Sequence, residues 1–478
     1  MSGYIIWILI LAIWNVILFY GHSLGVSVIL FIAPLLTFIY MFLKNNKKIN
    51  NKNGLLVMIP MILLSLTYLI FDNDTFSILN CLVITVLFGV LYVFVINPVN
   101  KISELIDQAV ALLIVPLSYI GKFYRVATSK IASKIKLSDK SKKILKSCLI
   151  VLPIVIIVIA LLSSADMIFG DLFDKIFGRI IDFIVDVVLD DFIGRLITFI
   201  IIFFLIGVSM MYILFEYPKK KEEKKIKENK IKDVLTFKIL VSVLNIIYVI
   251  FDIIQIKSLM LHSVASNINY AEYARQGFFE LMVVSIINIA VILISKKYES
   301  KDNKKEYKFI NIMNVVMVFL TIIIIISSFM RMNLYEAAYG YTTLRLLVYI
   351  TLMTETVLMI PTIMYILNSN INIFKCYLVI IMSSYIIANF INIDYIVARR
   401  NVNRYYMNEK IDFDYLRNYG YDNIPILIEL YNRTDDYELK GEIKEYLEIM
   451  ARDEEEKESI FEFNIARYKG KKLLEDFK

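Results

Sequence analysis

Apolar residues in this chain come in continuous runs rather than at alternating positions, and the runs are long. Eleven of them, at 4–20, 24–43, 55–71, 78–96, 144–163, 192–215, 236–259, 278–295, 309–330, 344–367 and 374–392, approach or exceed the length of a bilayer-crossing helix, for which about 20 apolar residues are needed. A helix satisfies every backbone N–H and C=O within its own span, and strands of a barrel would show alternation instead. The pattern predicts an all-α, polytopic transmembrane helix bundle of about 11 spans. Residues 1–96 read as a four-span N-terminal region, 97–143 as a basic segment and 144–393 as a seven-span core.

Three stretches depart from that pattern. Residues 109–121 are apolar but too short to cross and contain Pro116, which predicts an elbow lying at the membrane surface. In residues 166–191, Asp171, Lys175, Arg179, Asp182, Asp186 and Asp190 share one side of a helix, opposite Phe173, Ile176, Phe177, Ile180 and Phe183. That is an amphipathic helix on the outer surface. Its spaced aspartates read as a solvated face in preference to a cation site, because calcium takes a looped cage of oxygens. From 394 to 478 the chain turns polar and predicts a small soluble helical domain. Asp412 and Asp414 precede a short helix, Asp422 or Asn423 caps the next with Pro425 in its first turn, and two more lie near 436–451 and 455–476. So few residues suit an interaction module better than an enzyme.

The gaps between runs alternate in charge. Those at 44–53, 97–143, 216–235, 296–308 and 368–375 hold 28 lysines and arginines in total; those at 21–23, 72–77, 164–191, 260–277 and 331–343 hold four. Basic residues stay on the cytoplasmic side of a membrane. The N-terminus is therefore expected inside a bacterial cytoplasmic membrane, and after eleven spans the C-terminus outside. Arg399, Arg400 and Arg404 run against this, since they follow the last span on the expected outer side.

Composition agrees with a lipid-dissolved chain: 58% of the 478 residues are hydrophobic. The net charge of +7 reads as the orientation signal and not as a nucleic-acid surface. Cys81, Cys148 and Cys376 lie in or beside apolar runs and read as packing residues, and His22 and His262 are far apart, so neither a metal nor a cofactor is expected. No phosphate-binding glycine loop, metalloprotease histidine pair or nucleophile elbow occurs.

The candidate chemistry is charge placed within or beside the spans, where an ionisable group is costly and usually faces protein or water. Asp252 lies in the seventh span, Glu355 near the middle of the tenth and Glu280 in the first turn of the eighth; Arg331 ends the ninth and Arg345 opens the tenth. Two neighbouring outer loops interleave tyrosine with charge: Tyr270, Glu272, Tyr273 and Arg275 in one, Arg331, Tyr335, Glu336, Tyr339 and Arg345 in the other. They support two readings. One is an outward-opening polar cavity with arginines poised for an anion; the other is interfacial tyrosine anchoring with Arg–Glu pairs locking helix ends. Either way, Asp252 and Glu355 should each have a polar partner on a neighbouring helix.

These two loops, the Leu161-Leu162-Ser163-Ser164-Ala165-Asp166 stretch with Phe169, and the later Ala398-Arg399-Arg400-Asn401-Val402-Asn403-Arg404 and Asp414-Tyr415-Leu416 resemble a family of bacterial multi-pass membrane proteins that carries a catalogued domain of unknown function. The resemblance runs from about 60 to 430. It implies a shared membrane architecture and brings no activity, substrate or catalytic residue.

Three functions stay open. The first is an envelope protein without enzymatic activity, sensing or scaffolding through its outer loops and tail. The second is a transporter or flippase using a cavity between spans seven and ten. The third is an enzyme on a lipid-linked substrate, with Glu280, Glu336 or Glu355 as acid or base. The lean is to the first: the soluble tail favours it, and the sparsely charged inner halves of those spans and the lack of a clear repeat count against transport. Expected partners are the lipid bilayer and an envelope protein or lipid-linked ligand.

Overall fold

A computed structural model describes residues 2–96, 191–215, 234–256, 278–297, 304–408, 410–452 and 459–477. The expected span at 144–163, the elbow at 109–121, nearly all of the amphipathic stretch at 166–191, and Cys148 fall outside them, as do Tyr270, Glu272, Tyr273 and Arg275.

Every regular element among the described residues is a helix. We number the helices α1 Ser2–Phe19, α2 Val26–Asn45, α3 Met58–Ile70 (entered through a 3-10 turn, Lys52–Val57), α4 Asp74–Ile96, α5 Asp191–Phe215, α6 Val234–Gln255, α7 Phe278–Lys297, α8 Lys304–Tyr339, α9 Thr343–Leu367, α10 Ile373–Phe390, α11 Ile393–Asn408, α12 Phe413–Leu416, α13 Ile424–Arg433, α14 Tyr437–Arg452 and α15 Ile465–Leu474. Seven helical stretches among the described residues are long and apolar enough to cross a membrane, and Tyr4–Phe19 and Gly194–Val208 are shorter apolar helices. Outward-facing positions are themselves apolar: Ile6, Ile10, Ile78, Leu82, Ile246, Ile250, Ile360 and Val379 are exposed. A belt of this kind would be an aggregation site in water and is the ordinary surface of a protein in lipid. This is a multi-pass membrane protein.

Two apolar cores organise the spans. One joins α1–α5 around Phe38, Phe42, Met61, Leu64, Leu91 and Val208. The other joins α6–α9 around Val241, Ile292, Met317, Val318, Leu352 and Met359. Helix α10 lies between them, with Leu378, Met382 and Tyr385 on the first and Tyr377 and Ile380 on the second.

Helix α8 corrects the sequence reading. Residues 331–339, expected as loop, continue the ninth span as helix, so that α8 runs 36 residues, about 54 Å at 1.5 Å per residue. That exceeds the roughly 30 Å hydrocarbon layer. The polar residues mark a helix leaving the membrane and not a helix ending. Gly340, at φ +82°, stops it.

The loops define two faces. On the lysine-rich face, Asn50 and Asn51 donate to the carbonyls of Ile96 and Phe94 at 2.7 and 3.0 Å, satisfying the C-terminal end of α4. Asn46 there donates to the Tyr4 hydroxyl at 2.9 Å, which puts the start of α1 on that face. On the other face sits the tail. Its core of Leu416, Ile424, Leu427, Leu430, Ile443, Leu447 and Leu474 is closed by α11–α15. The expected capping is revised there. Asp412 does accept the Tyr415 N–H, at 2.9 Å. Asn423 precedes α13 without a side-chain cap bond, and its amide donates to Leu416 O at 2.6 Å instead. The last expected helix is split into a 3-10 turn, Ile460–Glu462, and α15, because Asn464 caps α15 by accepting from Arg467 N.

The tail is bonded to three lysine-poor loops. His22 meets Glu462 at 2.9 Å, and Val26 N donates to Phe463 O at 2.9 Å. A Cβ at Gly25 would lie 2.5 Å from Glu462 O, so only glycine admits that approach. Asp72 accepts from Arg467 Nε at 2.8 Å and from Tyr421 N at 3.1 Å, and its own N–H donates to Asp422 at 2.6 Å. The three arginines that opposed the charge rule are held here. Arg399 pairs with Glu429, Arg404 donates to Ala338 O at 2.7 Å, and Arg400 lies over the Tyr341 ring at 5.6 Å. The first contact lies within the tail, and the other two join it to the end of α8 and the loop after it.

Candidate functional site

Helices α6 and α8 run in one direction and α7 and α9 return. Lys238 near the start of α6 pairs with Glu306 at the start of α8 at 2.7 Å. Lys296, near the end of α7, donates to Asn311 Oδ1 at 2.9 Å and to Ile366 O of α9 at 3.1 Å. Between these lysine-bearing ends and the opposite end, polar side chains meet at successive levels. Ser295 and Asn314 bond at 2.9–3.0 Å. Farther along, Tyr248 donates to Asn288 Oδ1 at 2.7 Å, and Asn288 Nδ2 donates to Thr321 Oγ1 at 3.0 Å, which joins α6, α7 and α8. Next, Ser285 Oγ meets Glu355 Oε2 across α7 and α9. Gln255 Oε1 then accepts from Ser327 Oγ at 2.8 Å and from Arg331 Nη2 at 3.1 Å. The result is a polar column through the four-helix unit, closed in this conformation: Ser285, Asn288, Ser295, Asn314, Thr321 and Ser328 have no solvent-accessible surface.

The carboxylates occupy one layer. Asp252 lies four residues beyond Tyr248 on α6, and Ser285 three residues before Asn288 on the antiparallel α7. Both are therefore about one 5.4 Å turn from the Tyr248–Asn288 bond, toward the tail end of the unit. Asp252 and Glu355 are each only 3% exposed. Among the described residues both Asp252 oxygens and Glu355 Oε1 lack a hydrogen-bond partner. The polar partner expected for Glu355 is Ser285; for Asp252 none is found there.

A cap of aromatic and charged groups closes the end nearest the tail. The Arg345 guanidinium lies 4.2 Å from the centre of the Tyr335 ring, and its Nη1 donates to Gly340 O. Tyr335 in turn contacts Tyr339 at 5.1 Å between rings. The Tyr349 hydroxyl reaches Glu336 Oε2 at 3.0 Å and Asn333 Oδ1 at 2.7 Å. Asn401 of α11 bonds both backbone groups of Tyr341, at 2.9 and 2.8 Å, and ties the cap to the tail.

The structure thus brings Arg331, Tyr335, Glu336 and Arg345 together at the cap, and buries Asp252 and Glu355 one level below. Tyr339 is half-exposed at the rim, and Glu280 is exposed on α7. Sequence reasoning missed Tyr248, Gln255, Ser285, Asn288, Ser295, Asn314 and Thr321. Their signal was spacing. Asn245, Tyr248, Asp252 and Gln255 follow a 3-4-3 interval on α6, and Asn314, Thr321 and Ser328 fall every seventh residue on α8. Such intervals put polar groups on one helix face.

Among the described residues, no three His, Cys, Asp or Glu side chains stand close enough to hold a metal ion. A family model described as Domain of unknown function (DUF4153) matches residues 58–430. No curated protein and no solved structure matches the chain.

Proposed function

The chain belongs to the DUF4153 family, and we propose that it moves a polar solute across the membrane through the four-helix unit α6–α9. One observation carries this reading: hydrogen-bonded polar groups continue from Lys296 to Arg331 inside helices whose outer faces are apolar. Packing alone gains little from such a column. Interhelical hydrogen bonds in membranes contribute only about 0.6 kcal/mol each on average, while buried acids are costly to insert. The lean toward a sensor or scaffold rested on the soluble tail, on the lack of a clear internal repeat and on sparse charge in the inner halves of these spans; neutral Asn, Ser, Thr and Tyr fill that depth, which removes the last of these grounds. Pro361, inside α9 and six residues past Glu355, leaves one helical hydrogen bond unmade and supplies a bending point for opening the column.

The orientation belongs to the same reading. The lysine-poor face that carries the tail is the outside by the basic-residue rule, and Arg331, Arg345, Tyr335 and Glu336 form the outer gate. Residues 394–478 are a separate helical unit on that gate.

The test uses the full chain in proteoliposomes bathed in a small-molecule extract of the source cells, with solutes retained inside identified by mass spectrometry. At least one polar solute should accumulate with the natural chain and fail to accumulate with Asn288→Leu, which blocks the column at mid-depth. No solute retained above protein-free vesicles, under either direction of an imposed pH gradient, rejects the reading. A sensor is the second reading, favoured by the bonding of the tail to three interhelical loops; it requires no uptake and a change in tail protection when a ligand binds.

A further inference from the structure

The layer formed by Asp252, Ser285 and Glu355 holds more acceptors than protons. The Ser285 hydroxyl contacts two oxygens, the Met282 carbonyl at 2.7 Å and Glu355 Oε2. A hydroxyl has one proton to donate and can accept with its lone pairs. The Met282 carbonyl can only accept. If Ser285 satisfies it, as serine commonly does toward the preceding turn, the hydrogen of the Ser285–Glu355 bond must come from the carboxyl group.

The other oxygen points the same way. Glu355 Oε1 is buried without a partner, and so are both oxygens of Asp252. A bare carboxylate in such a place is far more costly than a neutral acid. The titratable and charged groups on the described helices around Glu355 do not supply a counter-charge. Arg331 bonds Gln255, Arg345 is engaged with Gly340 and Tyr335, and Lys296 is anchored at the far inner end. Glu336 is held by Tyr349, Tyr377 bonds Thr362, and Tyr248 donates to Asn288.

From this hydrogen-bond inventory we infer that Glu355 is a proton-binding site: in the closed column it carries a proton and donates it to Ser285, and opening the column to water releases that proton. The site gives the passage an ion to couple to. It deepens the transport reading and rests on it for its purpose, though the bound proton is a property of the resting protein.

Infrared difference spectroscopy of the full chain in nanodiscs, titrated with pH and without added solute, tests the inference. The protonated-carboxyl absorption at neutral pH, to which Asp252 and Asp394 also contribute, should lose one component in Glu355→Gln, and that same component should move to higher frequency without being lost in Ser285→Ala, which removes the acceptor and leaves the acid. A band unchanged in both variants, or none at neutral pH in the natural chain, overturns it. Should Glu355→Gln fail to fold, the Ser285→Ala shift decides alone. Solute uptake is read separately, so loss of uptake with the band intact fails the transport reading and leaves the proton site standing.

Discussion

Replacing Asp72 with alanine should release the tail from the membrane domain. This residue, in the short link between α3 and α4, accepts from Arg467 Nε at 2.8 Å and from Tyr421 N at 3.1 Å. Both members of the ion pair are mostly buried, with side chains 12% and 19% exposed. The substitution strands a guanidinium and a backbone N–H. Breaking a buried pair from one side costs about 3–5 kcal/mol, but Arg467 keeps its 2.7 Å bond to Ser23 and some solvent. A net cost of roughly 2–3 kcal/mol follows. At 1.36 kcal/mol per tenfold, tail opening becomes about 30- to 160-fold more frequent. Hydrogen exchange of the intact protein in nanodiscs reads this directly as lost protection over α13, α14 and α15, with α6–α9 unchanged. The control is Asp414→Ala, whose side chain is 81% exposed and pairs with Arg417 on the surface; it should change nothing. Unaltered protection of the tail in Asp72→Ala would show that the apolar contacts alone hold it, and the argument from Asp72 would be refuted.

Two further outcomes are expected. Burial, then the carboxylates of Asp422, Asp72 and Asp74, pushes Asp394 up from 3.8 to about 7, while its bond from Asn73 pulls the other way; burial also raises Asp422. An acid whose folded value is raised stabilises the fold fully below its unfolded value and loses that contribution as pH climbs through the folded one. Through this acid, tail protection should fall as pH rises from about 4 to about 7, by up to a few kcal/mol, and level off above, and Asp394→Asn should flatten the profile; protection that increases between pH 5 and pH 7 would contradict this sign. For orientation, in a chain with its native cysteines replaced, impermeant thiol reagents applied to intact cells should label Asn269→Cys, Asn333→Cys and Tyr437→Cys and spare Lys224→Cys. Since Asn333 and the tail share a face, labelling one without the other would break the fold itself.

The spans were legible because their physics is local. Run length alone places α2, α4, α9 and α10 to within a few residues. Where polarity and helicity diverge, the reading failed. Residues 331–339 look like loop because they are polar, yet they continue α8 until Gly340 ends it. The column was illegible for a different reason. Asn288, Thr321 and Ser285 are each a single neutral residue within an apolar run, and attention to charge passed over them. Only the interval between such residues announces a shared face, and only packing tells which faces meet. Asp252 and Glu355 were found because ionisable residues inside spans are rare, and their common layer depends on the antiparallel course of α6 and α7. Arg399, Arg400 and Arg404, which run against the orientation rule, are tied to Glu429, Tyr341 and Ala338, contacts the sequence alone does not announce.

The bonds between the tail and the first hairpin also set an order of events during synthesis. His22 and Glu462 are separated by 440 positions, so the turn at His22 leaves the ribosome long before its partner exists. Until then Ser23, Gly25 and Asp72 stand open to bulk solvent. A nascent chain arrested before residue 459 should present those loops to proteases that cannot reach them in the finished protein, and quality control could use that exposure to recognise unfinished copies.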